Sequence, residues 1–256
     1  MKDNNPKHRA ILLGILIILI SGLDANARAR RGNVYAVVVG VSEYALPGAT
    51  NLTYPAKEAR DMYGLLSKHT TPDKIALLTN RNATRENIMN VVNRLFTATN
   101  PDDVVILYFS GHGYEGGFAA HNNSIAYTEF KKIFKRTKAR RKLIFADACH
   151  SGEMRSREIN NRANLRSLNN QKVCLFLSSR SSQLSMETSA FESGFFTHYL
   201  MMGLRGGADA DRNKVITARE LFNFVNPRVK EYSKGRQIPV MWGKFEDRME
   251  ILNWNR

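Results

Sequence analysis

The chain has 256 residues, 43% of them apolar and 24% charged, which excludes a disordered or collagen-like polymer and leaves room for one large domain or two small ones. Thirty-eight Lys and Arg outweigh 23 Asp and Glu for a net charge of +15, a balance that attracts polyanionic surroundings at low salt. Two cysteines, Cys149 and Cys174, are too few for a disulfide framework, and no Cys and His cluster has the four-ligand spacing of a zinc site.

A basic start (Lys2, Lys7, Arg9) leads into 14 mostly apolar residues, 10–23, and then into Asp24-Ala25-Asn26-Ala27. The apolar run is shorter than the roughly 20 residues that cross a bilayer, and Ala25 and Ala27 supply the small side chains of a cleavage site. Residues 1–27 therefore read as a signal peptide cut after Ala27, and the protein as secreted or periplasmic. Arg28, Arg30 and Arg31 oppose translocation behind the run, which keeps an uncleaved membrane anchor open as the alternative. Without residues 1–27 the chain keeps a charge of about +14, so the basic character belongs to the domain at 28–256.

The apolar stretch 34–41 predicts a strand buried on both faces, as in a parallel sheet. Residues 55–69 place Ala59, Met62, Tyr63 and Leu66 on one helical face, 74–79 is a second strand, and 82–96 is a helix capped by Thr84. A third strand spans 103–110, a glycine-rich loop with a small hairpin 111–127, a helix 128–137, and further strands 142–147 and 172–178. Helices at 195–204 and 217–232 and an edge strand within 237–242 complete the pattern. Alternating strands and helices predict one α/β domain with a mostly parallel sheet of about six strands and helices on both faces.

Ligands of such sheets bind beyond the carboxyl ends of the strands. Two predicted strands end there in Ser110-Gly111-His112-Gly113 and Asp147-Ala148-Cys149-His150. If they are neighbours, His112 faces Cys149, and a neutral imidazole can take the thiol proton to supply a thiolate nucleophile. Taken singly, each residue reads as a buried small hydrophobe or a turn residue; together at consecutive strand ends they read as a catalytic pair. His150 adjoins the cysteine, but adjacent strand residues diverge in direction, so it ranks below His112.

The SGHG of 110–113 and the DACHSG of 147–152 resemble the motifs of the caspase and metacaspase superfamily of cysteine peptidases, with the bacterial caspase-like proteins and metacaspases nearest in pattern. The likeness extends to Gly40-Val41, to the helical region within 52–66, and to Gly194-Phe195-Phe196-Thr197 with Gly203-Leu204-Arg205-Gly206. It implies a caspase-like fold and a dyad in which Cys149 attacks the scissile carbonyl and His112 handles the proton. It also implies an oxyanion hole made by the backbone N–H groups of Gly113 and Cys149. Asp147 stands where Asp-cleaving caspases carry glutamine, as in metacaspases; a carboxylate in the pocket suits Arg or Lys. Ser110 matches a metacaspase pocket position. Glu58 is the nearest match to an acidic pocket residue that is Asp in relatives, and it reads equally well as an exposed helix residue. The expected partners are thus peptides or proteins with Arg or Lys before the cleaved bond. The rival reading is a non-catalytic caspase-fold interaction or signalling module.

Three features lie outside that reading. Asp209, Asp211, Asn213 and Glu220 follow calcium-loop spacing, but Lys214 occupies the place where glycine makes the sharp turn. Thr217 to Glu220 also reads as a capping box, which needs no metal; no cofactor is assigned, with calcium the one left open. Eight of the twelve residues 131–142 are basic, and with Phe130, Ile133 and Phe134 turned to the sheet they read as a solvated helix face rather than a phosphate or membrane contact. No aromatic platform interleaves these charges, so no specific nucleic acid is expected, and a membrane only if the N-terminal segment is kept. Finally, the polar segment 153–172 carries Arg155, Arg157, Arg162, Arg166 and Lys172, the residues the pocket prefers, and predicts self-cleavage there.

Overall fold

The computed structural model describes residues 32–114, 116–150, 172–178, 187–188 and 191–255, giving the backbone alone at 149–150 and 187–188. The expected signal segment 1–27 and residues 153–171 of the expected self-cleavage segment lie outside these. Among the described residues, no helix is long and apolar enough to cross a membrane.

The strands are β1 (Val34–Gly40), β2 (Ile75–Thr79), β3 (Val104–Tyr114), the hairpin β4 (Gly117–Ala119) and β5 (Ser124–Ala126), β6 (Arg141–His150), β7 (Val173–Leu177), β8 (Glu187–Thr188), β9 (Ser193–Gly194), β10 (Val215–Thr217), β11 (Val240–Trp242) and β12 (Glu250–Asn253). The helices are α1 (Pro55–Leu66), α2 (Arg85–Thr97), α3 (Tyr127–Arg136), α4 (Phe195–Met202) and α5 (Ala218–Tyr232). Six strands form the main sheet in the order β11-β7-β6-β3-β1-β2. Along this path the pairings are parallel except that of β11 with β7. The mostly parallel α/β fold is what the alternation of apolar runs and amphipathic stretches calls for.

Alternation along the strands splits the core in two. Ala36, Val38, Ile106, Tyr108, Leu143 and Phe145 pack on one face against Met62 and Leu66 of α1, Phe196 and Leu200 of α4, and Leu221 and Val225 of α5. Val37, Val39, Leu107, Phe109 and Ile144 pack on the other against Ile88 and Val92 of α2 and Phe130 and Phe134 of α3. Each apolar stripe recurs at helical spacing, which is why these segments are helices. The Thr84 hydroxyl accepts the Asn87 N–H at 3.2 Å as the cap of α2. The first turn of α1 borrows its cap from a distance, since Ala56 N–H donates to the Ser42 hydroxyl at 3.0 Å. Gly40 permits that approach: a Cβ there would lie 2.2 Å from the Pro55 carbonyl oxygen and 2.6 Å from Ala59 Cβ.

Two expected boundaries need correction. The third strand does not stop at Ser110 nor the fourth at Asp147; they run on to Tyr114 and His150 and stay paired through Gly113 and His150. Glycine and polar residues weaken a strand signal, but a parallel neighbour on each side of the join supplies the hydrogen bonds that extend it. The hairpin β4–β5 then continues the sheet from Gly113 and Tyr114.

Candidate active site

The β3–β6 register brings the two motifs together: Ser110 pairs with Asp147, and His112 with Cys149. Ser110 and His112, two places apart, share the face of the sheet that carries α1 and α4. Gly113 follows in β3, opposite His150 of β6 and Phe118 of β4.

His112 is buried, at 8% exposure, and is held from one loop, 41–54. Its Nε2 lies 2.7 Å from the Thr50 carbonyl oxygen. A carbonyl can only accept, so in the neutral ring Nε2 carries the hydrogen and Nδ1 keeps the lone pair that can take a proton. The His112 backbone N–H donates to the Tyr44 hydroxyl at 2.7 Å, and the two rings stand 4.8 Å apart. A side chain at Gly111 would meet that hydroxyl at 2.6 Å, so the glycine is what lets Tyr44 reach β3. The loop is pinned in turn: Tyr44 N–H donates to the Asn51 side chain at 3.0 Å, and Leu52 N–H to the Ser42 carbonyl at 2.9 Å.

Glu58 is not an exposed helix residue. It sits on the buried stripe of α1, four residues before Met62, with 3% of its surface exposed. Its carboxylate accepts from the Ser110 hydroxyl at 2.5 Å, from the Ser193 hydroxyl at 2.9 Å and from the Gly194 N–H at 2.6 Å. Asp147, also buried, accepts from the Thr197 N–H at 3.2 Å and its hydroxyl at 2.8 Å, placing a negative charge at the positive end of α4. The two carboxylates flank Gly194, where a Cβ would lie 2.8 Å from Asp147 Oδ2 and 3.4 Å from Glu58 Oε1. Burial pushes the Glu58 carboxyl up to about 7; the Asp147 charge adds to that rise, against hydrogen bonds that favour the anion. The two acidic groups, one in register with Ser110 and the other bonded to it, lie two positions along the sheet from His112. The sequence pointed to Glu58, Ser110 and Asp147 but not to Ser193, Gly194, Thr197, Tyr44 or Thr50. None of these five had a sequence signal of its own; the one signal available was for the burial of Glu58, in the helical phase that puts it in line with Met62.

Cys174 belongs to the core: it is fully buried in β7 and burial pushes its thiol well up. It pairs with Leu143, six positions before Cys149 on β6, so about 20 Å of strand separates the two cysteines, far beyond disulfide reach.

Where the loop before α5 meets its first turn, the carboxylates of Asp209 and Asp211 in the loop and Glu220 in the helix lie within 4.8 Å of one another. Each already accepts backbone N–H groups: Asp209 from Asn213 and Lys214, Asp211 from Asn213, and Glu220 from Thr217 in the expected capping box. Lys214 takes the left-handed conformation, φ 65°, that the calcium-loop pattern gives to glycine. The basic run 131–142 divides: its first half lies on α3, while residues 138–142 line a cleft at the opposite end of the sheet.

A parallel α/β sheet with a histidine and a cysteine opposite each other on its two central strands defines a class of caspase-like proteins. Residues 33–249 match the family model of the peptidase C14 caspase domain, and the chain belongs to that family. Among solved structures it is similar to the Geobacter sulfurreducens protein GSU0716, at 17% identity and a TM-score of 0.63 over 84% of this chain and 94% of that one. It is also similar to caspase-1 of Spodoptera frugiperda, at 14% identity and a TM-score of 0.62 over 86% and 89%. No curated protein sequence matches the chain at a significant level.

Proposed function

We propose that the protein is a cysteine endopeptidase that cuts after Arg or Lys. One observation carries the reading: the β3–β6 register sets His112 opposite Cys149 and, two positions back, Ser110 opposite Asp147 with Glu58 bonded to that serine. A nucleophile, its base and an acidic specificity wall then share one sheet edge. In the reaction, His112 Nδ1 takes the Cys149 proton and the thiolate adds to the scissile carbonyl. The backbone N–H groups of Gly113 and Cys149 hold the oxyanion, where losing one fixed donor costs about 10² to 10³ in rate. The amine leaves with the proton from His112, and water attacks the thioester to release the acid. A bound guanidinium or ammonium relieves the repulsion between Asp147 and Glu58, which supports the basic preference. The leader at 1–27 suits an exported enzyme, and the Arg-rich segment 153–172 suits self-processing.

The test is hydrolysis of fluorogenic peptides ending in Arg, Lys or Asp by the wild type and by Cys149→Ala. Cleavage after Arg and Lys, absent in the variant, is expected. Iodoacetamide should inactivate the enzyme through Cys149 while buried Cys174 stays unlabelled. Cleavage only after Asp, or activity that persists in Cys149→Ala, overturns the assignment.

A further inference from the structure

A cleft of about 840 Å³ opens at the amino ends of the strands, the end of the sheet away from His112. It is lined by Gly32 before β1, by Asp102 before β3, by the start of β6, by Lys172 before β7 and by Lys244, Arg248 and Glu250 with their neighbours near the end of the chain. Among the described residues of its wall, basic side chains outnumber acidic ones by seven to three. Arg140 and Arg141 are engaged with Asp102 and Glu250, and Lys142 donates to the Phe134 carbonyl at 2.8 Å. Lys138, Lys172, Lys244 and Arg248 are exposed and make no ion pair among the described residues. These four come from three separate parts of the chain, so the topology, not a local basic run, concentrates the charge. Burial, followed by the like charge of Lys172, pushes Lys142 down.

We propose that this face docks on an anionic phospholipid membrane, the cleft receiving the phosphate headgroups. Charge complementarity supplies one argument. The position of the chain supplies the second: Gly32 lies in the cleft wall, and it is preceded by Arg31, Arg30 and Arg28 and then by the apolar run 10–23. Whether or not the leader is cut after Ala27, those three arginines stay covalently joined to Gly32, and an uncut leader adds an apolar run further along the same chain. Orientation supplies the third. β6 runs from the cleft at Arg141 to Cys149, a rise of roughly 26 Å, so a molecule seated on this face turns its catalytic edge away from the lipid.

The test uses the full chain and cosedimentation with vesicles of phosphatidylcholine alone or with about a third phosphatidylglycerol. The wild type should prefer the anionic vesicles, and the preference should fade with added salt. Each Lys or Arg near an anionic surface contributes about fivefold in affinity, so Lys172→Gln/Lys244→Gln/Arg248→Gln should lower binding to anionic vesicles by about 100-fold and leave binding to neutral ones unchanged. The control removes three charges from α3, Lys131→Gln/Lys132→Gln/Lys135→Gln, and should retain most of the preference. Thermal midpoints of both variants check that neither is unfolded. Equal losses in the two variants would mean that net charge alone attracts the lipid, and would overturn the proposal. So would cleft-dependent binding of a single-stranded oligonucleotide that exceeds binding to the vesicles, since the occupant would then be nucleic acid.

Discussion

If Glu58 serves the proposed basic pocket, stability and specificity pull in opposite directions there. A carboxyl raised from its ordinary value to about 7 keeps its proton in the folded state while the unfolded chain has lost it, so stability falls as pH rises from about 4.5 to 7 and stays low above. At 1.36 kcal/mol per unit the penalty reaches about 3 kcal/mol at pH 8. Glu58→Gln removes that charge and leaves a carbonyl oxygen for Gly194, so its thermal midpoint should exceed that of the wild type at pH 8 and match it near pH 4.5. The same change should raise KM for an Arg peptide and flatten its pH dependence. In the wild type that KM should fall as pH rises through 7, because the ionised form binds the cation. A variant no more stable at pH 8 would show that the burial of this charge carries no cost. Tyr44 acts on the other half of the site. Tyr44→Phe keeps the ring against His112 but strips the acceptor from a backbone N–H, an unmet donor worth about 1 to 3 kcal/mol. We expect kcat to drop roughly tenfold to a hundredfold with KM little changed, since only the base is displaced. A KM effect without a kcat effect would place Tyr44 in substrate binding instead.

Elements differed in how plainly the sequence announced them. The runs at 34–40 and 104–109 are apolar without a break, and only a strand covered on both faces uses such a run. The continuations through Gly111, His112 and Cys149 carried no such signal, because their strand conformation comes from pairing across β3 and β6 rather than from their own preferences. β9, two residues long, and β12 went unseen for the same reason, although β9 holds the Ser193 and Gly194 that bind Glu58. His112 and Cys149 could be paired from sequence because each follows a recognisable strand. Thr50 could not be linked to His112, since it contributes a backbone carbonyl, which every residue has. The basic cleft was legible only at 138–142; Lys172, Lys244 and Arg248 join it through strand order, which composition does not encode.

The sheet has one end that carries His112 and Cys149 and another that is basic, and residues 151–171 connect β6 at the first to β7 at the second. A cut in that connection leaves every sheet pairing among the described residues in place. β7 remains bonded to β6 over five residue pairs, from Lys142 with Val173 to Ala146 with Leu177, and β11 closes its other side. The carboxyl-terminal part also supplies Phe196, Leu200, Leu221 and Val225 to the core face that carries Glu58 and Asp147, so each piece would expose a large apolar surface if they separated. Self-cleavage within 153–172 should therefore give a two-piece molecule that stays together. On a denaturing gel the cut protein should run as two bands, while in native gel filtration it should elute with uncut Cys149→Ala and keep its peptidase activity. Guanidinium at a concentration that unfolds the chain should part the pieces. Separate elution of the fragments under native conditions would show that the connection, rather than the β6–β7 pairing and the shared core, holds the two parts together.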